Sequence, residues 1–284
     1  MKSKQSLGRN LPIGVFDSGL GGLTVVREIL KQLPREHIIY FGDLARLPYG
    51  IKSKRQITEF SIENTEFLLH RGVKAIVIAC NSSASAAGNV LRKRYTIPIL
   101  DVIRPAAREA IRVSVKKRIG VIGTQATVAS GAYERILRSF DSGVRVQVQA
   151  CPLFVPLVEE GILSGSIAGS IVKQYIKPLV DGRIDSLILG CTHYPLLRSA
   201  IQKFVGPKIC LIDSAKPTVL NLISLLSEKK LLRKSRGKGK LSVFVSDLQQ
   251  SFLKIGERFL VEPLRDVKVV RLTEVATVKR KWLA

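Results

Sequence analysis

The chain states one pattern twice. Ile13-Gly14-Val15-Phe16-Asp17-Ser18 opens its first half, and Ile119-Gly120-Val121-Ile122-Gly123-Thr124 opens the second. From each Ile-Gly-Val to a cysteine is a similar distance, 67 residues to Cys80 and 72 to Cys191. Each cysteine ends an apolar run, Lys74–Ala79 or Ser186–Gly190, and is followed at once by polar residues, Asn81-Ser82-Ser83 or Thr192-His193-Tyr194. Runs this short, bounded by polar groups, read as buried strands that stop where a ligand can reach them. Two related α/β units, each offering one thiol at the carboxyl end of a strand, are therefore expected. If the thiols face each other, they hold one small molecule between two acid/base groups, the arrangement that inverts a stereocentre.

The rest of the chain follows the same alternation. HIIYFGD, IPILDV and VRVQVQACP read as further strands, and LSVFVSD as a late one. LTVVREILKQLP, SKRQITEFSIENTEFLLHRG, AYERILRSF and SIAGSIVKQYIKPLVDGR carry apolar residues near the 3.6 period of a helix. Strand–helix alternation implies parallel sheets flanked by helices. The expected fold class is α/β: two similar α/β domains with mainly parallel sheets, and an active site between them at the carboxyl ends of strands. Residues 11–104 plus 214–284 are expected to form the first domain, on the Cys80 side. Residues 105–213 form the second, on the Cys191 side.

A thiol removes an α-proton only as thiolate, and a helix start beyond the strand supplies N–H groups that favour an anion. Cys80 precedes such a start. His193 lies two residues beyond Cys191 and is placed to assist proton transfer there. Asp17 ends the first strand, either as a polar group at the ligand edge or as the cap of the next helix. Cys151 and Cys210 lack this setting and are expected in the core. Gly19-Leu20-Gly21-Gly22 marks a tight turn. It is not a dinucleotide fingerprint, because Thr24 stands where G-x-G-x-x-G needs its third glycine. No Walker A motif, clustered metal ligands or pyridoxal-type lysine stands out, so the expected chemistry uses no cofactor and no metal.

Composition bounds the partners. The chain has 284 residues, and 46 Lys+Arg against 22 Asp+Glu give a formal net charge of +24. Such a field attracts polyanions without naming one. Seven basic residues fall within Lys229–Lys240, a segment expected to be an exposed, mobile loop, and Val278–Trp282 forms a basic tail. Neither has the interleaved aromatics of a single-strand binding platform. With no apolar run near the ~20 residues of a membrane helix, no signal-like apolar core and no Cys-x-x-Cys pair, the cytoplasm is the expected compartment.

At these residues the chain resembles glutamate racemase, within the aspartate/glutamate racemase superfamily. The resemblance runs from about Ile13 to about Asp266 and rests on FDSGLGGLTV (16–25), GDLARLPYG (42–50), ACNSSASA (79–86), PLVEEG (156–161), GCTHYPLL (190–197) and LIDSA (211–215). It implies a cofactor-independent isomerase interconverting L- and D-glutamate for peptidoglycan synthesis, usually as a homodimer. It implies that Cys80 takes the proton from D-glutamate and Cys191 from L-glutamate. Asp17 and His193 then assist, and Glu159 is a further acidic group near the pocket. Asp17, Ser18, Tyr49, Gly50, Asn81, Ser82, Thr192 and His193 match substrate-binding positions. Two residues depart from the family pattern: Leu44 and Ser82 both stand where threonine is common. The rival readings are a racemase of another acidic amino acid, aspartate or diaminopimelate-like, and a basic nucleic-acid-binding protein on a racemase fold.

Overall fold

The short apolar runs at the sheet centres become fully buried strands because hydrogen-bonded neighbours flank them on both edges. The computed structural model describes residues 8–248, 250–264 and 266–271. Its strands, in chain order, are β1 (Ile13–Asp17), β2 (Ile38–Gly42), β3 (Ala75–Ile78), β4 (Ile99–Asp101), β5 (Arg118–Gly123), β6 (Arg145–Ala150), β7 (Ser186–Gly190), β8 (Cys210–Ile212), β9 (Leu241–Val245) and β10 (Val267–Val269). They form a six-stranded sheet, β10-β9-β2-β1-β3-β4, and a four-stranded sheet, β6-β5-β7-β8. Every pairing is parallel.

The repeat is real in three dimensions. Each Ile-Gly-Val strand pairs with the strand that precedes its cysteine: Ile13 with Ala75 and Phe16 with Ile78, then Ile119 with Ser186 and Gly123 with Gly190. The other edge of β1 pairs with β2, and the other edge of β5 with β6. Both thiols therefore leave equivalent strands at the same end.

Between the strands run α1 (Leu23–Gln32), α2 (Lys54–His70), α3 (Asn81–Arg94), α4 (Ile103–Val113), α5 (Gln125–Ala129), α6 (Ala132–Phe140), α7 (Phe154–Glu159), α8 (Gly165–Asp181), α9 (Arg198–Val205), α10 (Ala215–Glu228) and α11 (Gln250–Leu260). Local chemistry fixes where several begin. Ser53 and Gln56 form a capping box at the start of α2. Cys80 itself caps α3, its sulfur accepting from Ser83 N. Leu23, Val25, Val26 and Ile29 bury one face of α1, which packs on α10 and α11. The chain thus leaves the first sheet after β4, builds the second, and returns through α10 to add β9 and β10.

One expectation needs correction, and another gains detail. Cys210 is exposed, not in the core, because β8 is an edge strand and its first residue has a neighbour on one side only. The basic segment 229–240 is tied down at both ends. Lys74 Nζ forms a buried ion pair with Glu36 and donates to Leu231 O at 2.9 Å and Arg9 O at 2.8 Å. Glu36 Oε1 accepts from Arg233 N at 2.8 Å, and Gly239 N donates to Pro34 O at 2.8 Å. Burying two charges is costly unless they are paired and their remaining hydrogen-bonding capacity is met. Here the segment's backbone, with Arg9 O, meets it. The segment is a loop, as expected, and Lys229, Lys230, Lys234, Arg236, Lys238 and Lys240 are exposed. The tail at Val278–Trp282 lies outside the described residues. Among those described, no helix is long and apolar enough to cross a membrane.

Candidate active site

A cavity of about 240 Å³ lies where the carboxyl ends of the two sheets meet, and both Cys80 and Cys191 line it. Each thiol is at least nine-tenths buried, at 5% and 7% exposure. Ser18, Tyr49, Gly50, Asn81 and Ser82 line it from the first sheet's side, and Glu159, Thr192 and His193 from the second's. Of the residues expected to act on or bind the substrate, only Asp17 is absent from the wall. It lies directly behind Ser18, with no exposure.

Asp17 is a buried carboxylate surrounded by donors. Oδ1 accepts from Ser18 N at 2.7 Å, and Oδ2 accepts from Gly22 N and from Thr192 Oγ1 at 3.2 Å. Ionised oxygens tolerate burial only with such donors. It holds the 18–22 turn rather than capping the first turn of α1, whose own cap has no side-chain bond. The turn must be glycine-rich because the two units touch there. A Cβ on Gly21 would stand 2.6 Å from His193 Nδ1 and would collide with Thr192 Oγ1.

The two thiols have unlike surroundings. Cys80 is pushed up to about 12, first by burial and then by the charge of Asp17; bonds from Ser83 and Ser18 only partly offset this. Ser83 N lies 3.4 Å from its sulfur, and Ser18 Oγ 3.6 Å. A helix start favours the thiolate, as the sequence suggested, but burial outweighs it, so the free protein carries Cys80 as a thiol at neutral pH. Cys191 instead has an imidazole beside it. His193 Nδ1 lies 3.9 Å from its sulfur, and His193 Nε2 lies 3.4 Å from Glu159 Oε1. Burial alone would lower His193, yet the bonds to Cys191 and Glu159 raise it to about 10. The imidazole therefore holds a proton at neutral pH, next to one sulfur only. The ring of Phe259, from α11, meets it edge-on with centroids 5.1 Å apart.

The remaining walls offer donors and shape. Tyr49 is buried, and its hydroxyl donates to Asp43 and accepts from Asn64 Nδ2 at 3.1 Å. Burial and the Asp43 charge hold that hydroxyl well above the ordinary phenol range. It is fully engaged away from the cavity, so Tyr49 and Gly50 present ring and backbone. Gly50 also lets this loop reach the second unit, since a Cβ there would stand 2.8 Å from Thr124 Cβ. Ser82 Oγ lies 2.9 Å from Thr124 Oγ1, so serine at this position keeps a hydroxyl at the wall. Leu44 is buried beside Gly19 and is not part of that wall.

The family model for Asp/Glu/Hydantoin racemases matches residues 13–221. The chain belongs to this racemase family. A glutamate racemase of Geobacter metallireducens is 44% identical over 260 residues, covering 92% of this chain and 96% of that protein. One of Streptococcus pneumoniae is 47% identical over 253 residues, covering 88% and 95%. The crystal structure of glutamate racemase from Francisella tularensis in complex with D-glutamate superposes with a TM-score of 0.89 at 38% identity, covering 94% of this chain and 99% of that one. The α/β architecture of two parallel sheets is thus that of solved racemases.

Several residues around the site were not singled out from the sequence. Asp43 anchors the Tyr49 loop, accepting also from Arg46 Nε at 2.6 Å and Ser246 Oγ at 2.9 Å. Thr124 and Tyr133 meet Ser82 and Asn81 from the second unit, and Phe259 meets His193 from α11. Cys151 is buried as expected, but it also forms part of the cavity wall. Among the described residues no group of three or more His, Cys, Asp or Glu is arranged to hold a metal ion.

Proposed function

We propose that this chain is a glutamate racemase, interconverting L- and D-glutamate by a cofactor-independent two-base reaction that supplies D-glutamate for peptidoglycan. The observation that carries the reading is the pair of buried thiols, at equivalent strand ends, on one small cavity. The relatives' names and the D-glutamate complex of the Francisella enzyme support the substrate.

In this reading one sulfur, as thiolate, takes the α-proton while the opposite thiol delivers a proton to the other face. Atoms and charge balance within the protein, and the two cysteines exchange protonation states in each turnover. Cys80 serves D-glutamate and Cys191 serves L-glutamate. Asp17 receives the positive field of the substrate ammonium, which relieves the charge that opposes a thiolate at Cys80. His193, held by Glu159, keeps a proton within reach of Cys191. Ser18, Asn81, Ser82, Thr192 and the Tyr49-Gly50 backbone bind the substrate's polar groups.

We divide the chain into residues 11–104 plus 214–284 and residues 105–213 as its two α/β domains, with the substrate closing the gap between them. It acts in the cytoplasm, as a homodimer, and the exposed cations of Lys229–Lys240 bind polyanions weakly, a contact that salt weakens.

Circular dichroism of L- and D-glutamate, aspartate and diaminopimelate, incubated with protein treated with chelator and carbonyl reagent, tests the reading. Decay of the glutamate signal from both sides is expected. Activity on aspartate or diaminopimelate alone, or activity restored only by added metal or pyridoxal phosphate, would overturn it.

A further inference from the structure

Asn81 opens α3 next to Cys80, and the two ends of its side-chain amide are unequal. Oδ1 accepts from the Tyr133 hydroxyl at 2.8 Å. Nδ2 is buried and has no hydrogen-bond partner, although Asn81 lines the cavity. A buried donor left unmet is costly and calls for an explanation; on a residue that lines a cavity, a bound group is one.

The orientation of an amide is inferred from its neighbours, and here they decide it. Turned over, Oδ1 would lose its only donor. The Tyr133 proton would lose its only acceptor among the described residues. One orphan would become two. Tyr133 is also a dependable donor. It is buried near Asp101, and both effects hold its hydroxyl well above the usual phenol range, so it keeps its proton.

We propose that Tyr133 is a positioning residue: its hydroxyl fixes the Asn81 amide with Nδ2 toward the cavity, where that N–H recognises a carboxylate oxygen of the substrate. This rests on the racemase reading above. It adds that recognition is shared between the units, because Tyr133 belongs to α6, beside the second sheet, and Asn81 to α3, beside the first. The donor is aimed only when the two units are together.

Steady-state kinetics of the parent, Tyr133→Phe, Asn81→Ala and the double variant test the proposal, with thermal melting to confirm folding. Tyr133→Phe removes one oxygen and keeps the ring. It is expected to lower kcat/KM about tenfold, mainly through KM, as for a lost buried hydrogen bond. Asn81→Ala should cost at least as much. Adding Tyr133→Phe to it should change kcat/KM by less than about twofold, since residues that act through one another are not additive. Asn81→Asp keeps the shape and replaces the donor with an acceptor, so it should lose at least as much as Tyr133→Phe. Parent-like kinetics of Tyr133→Phe or of Asn81→Asp would overturn the proposal. So would a tenfold effect that persists in the Asn81→Ala background. A parent that does not racemise glutamate would instead remove the racemase reading, and the proposal with it.

Discussion

Thr192 Oγ1 donates to Asp17 Oδ2 at 3.2 Å, joining residues 175 positions apart. One belongs to the turn after the Cys191 strand, the other to the end of the strand beside Cys80's. The carboxylate that raises Cys80 is therefore oriented by the neighbour of Cys191. Ser82 with Thr124 and Asn81 with Tyr133 repeat the pattern. The two thiols do not sit in separate pockets; each half of the site is held in shape by the other.

Gly21 tests how tightly. Its missing side chain leaves room for His193 and Thr192, and a methyl would stand 2.6 Å from His193 Nδ1. Gly21→Ala should displace the imidazole and lower kcat by about a hundredfold, the cost of a misplacement of about 1 Å in a catalytic group. The melting temperature should fall by a few degrees, as for overpacking of about 1–3 kcal/mol. Measuring both together separates the two effects, and near-parent kcat would show that the imidazole has more freedom than this packing allows.

Asp17 tests the electrostatics. Its charge is the second cause, after burial, of the raised Cys80 thiol. Removing it makes the thiolate easier to form, so in Asp17→Asn the Cys80 titration should move down from about 12. Ultraviolet thiolate absorbance, read in a Cys191→Ser background, follows it. Racemisation should fall in the single variant, because the substrate ammonium loses its counter-charge. The sign for stability is the usual one for a raised group. Cys80 costs nothing while both states are protonated, below about pH 9, and stability is lost as pH rises from 9.0 toward about 12. An unchanged or higher titration in Asp17→Asn would contradict the account.

The twofold pattern of the fold was legible because it is local. Ile-Gly-Val and the run before each cysteine have strand length and composition, and parallel pairing then puts both sulfurs at one end. The acidic and hydroxyl residues at strand ends were legible for the same reason. Tyr133 was not. It lies in AYERILRSF, where an aromatic at helical spacing reads as core, and its hydroxyl meets a residue 52 positions away. Phe259 was hidden likewise, on a helix that returns from the far end of the chain. Cys210 misled because KICLID reads as a buried strand, and only the sheet order shows that it is an edge. The basic segment read correctly as an exposed loop, but its anchoring was hidden. A run of cations reads as a solvated loop, whereas the Lys74–Glu36 pair that holds it is 38 residues apart in sequence and has no local signature.

The central claim is that Cys80 and Cys191 act on opposite faces of one carbon. A glutamate analogue carrying a β-leaving group tests it most directly, because elimination needs only one base. Serine is far too weak an acid to replace either thiol in proton transfer. Each single variant should therefore lose racemisation yet still eliminate from one enantiomer: Cys80→Ser from the L-form and Cys191→Ser from the D-form, followed by release of the leaving group. Elimination from both enantiomers by either variant, or full racemisation by Cys191→Ser, would contradict a two-thiol reaction.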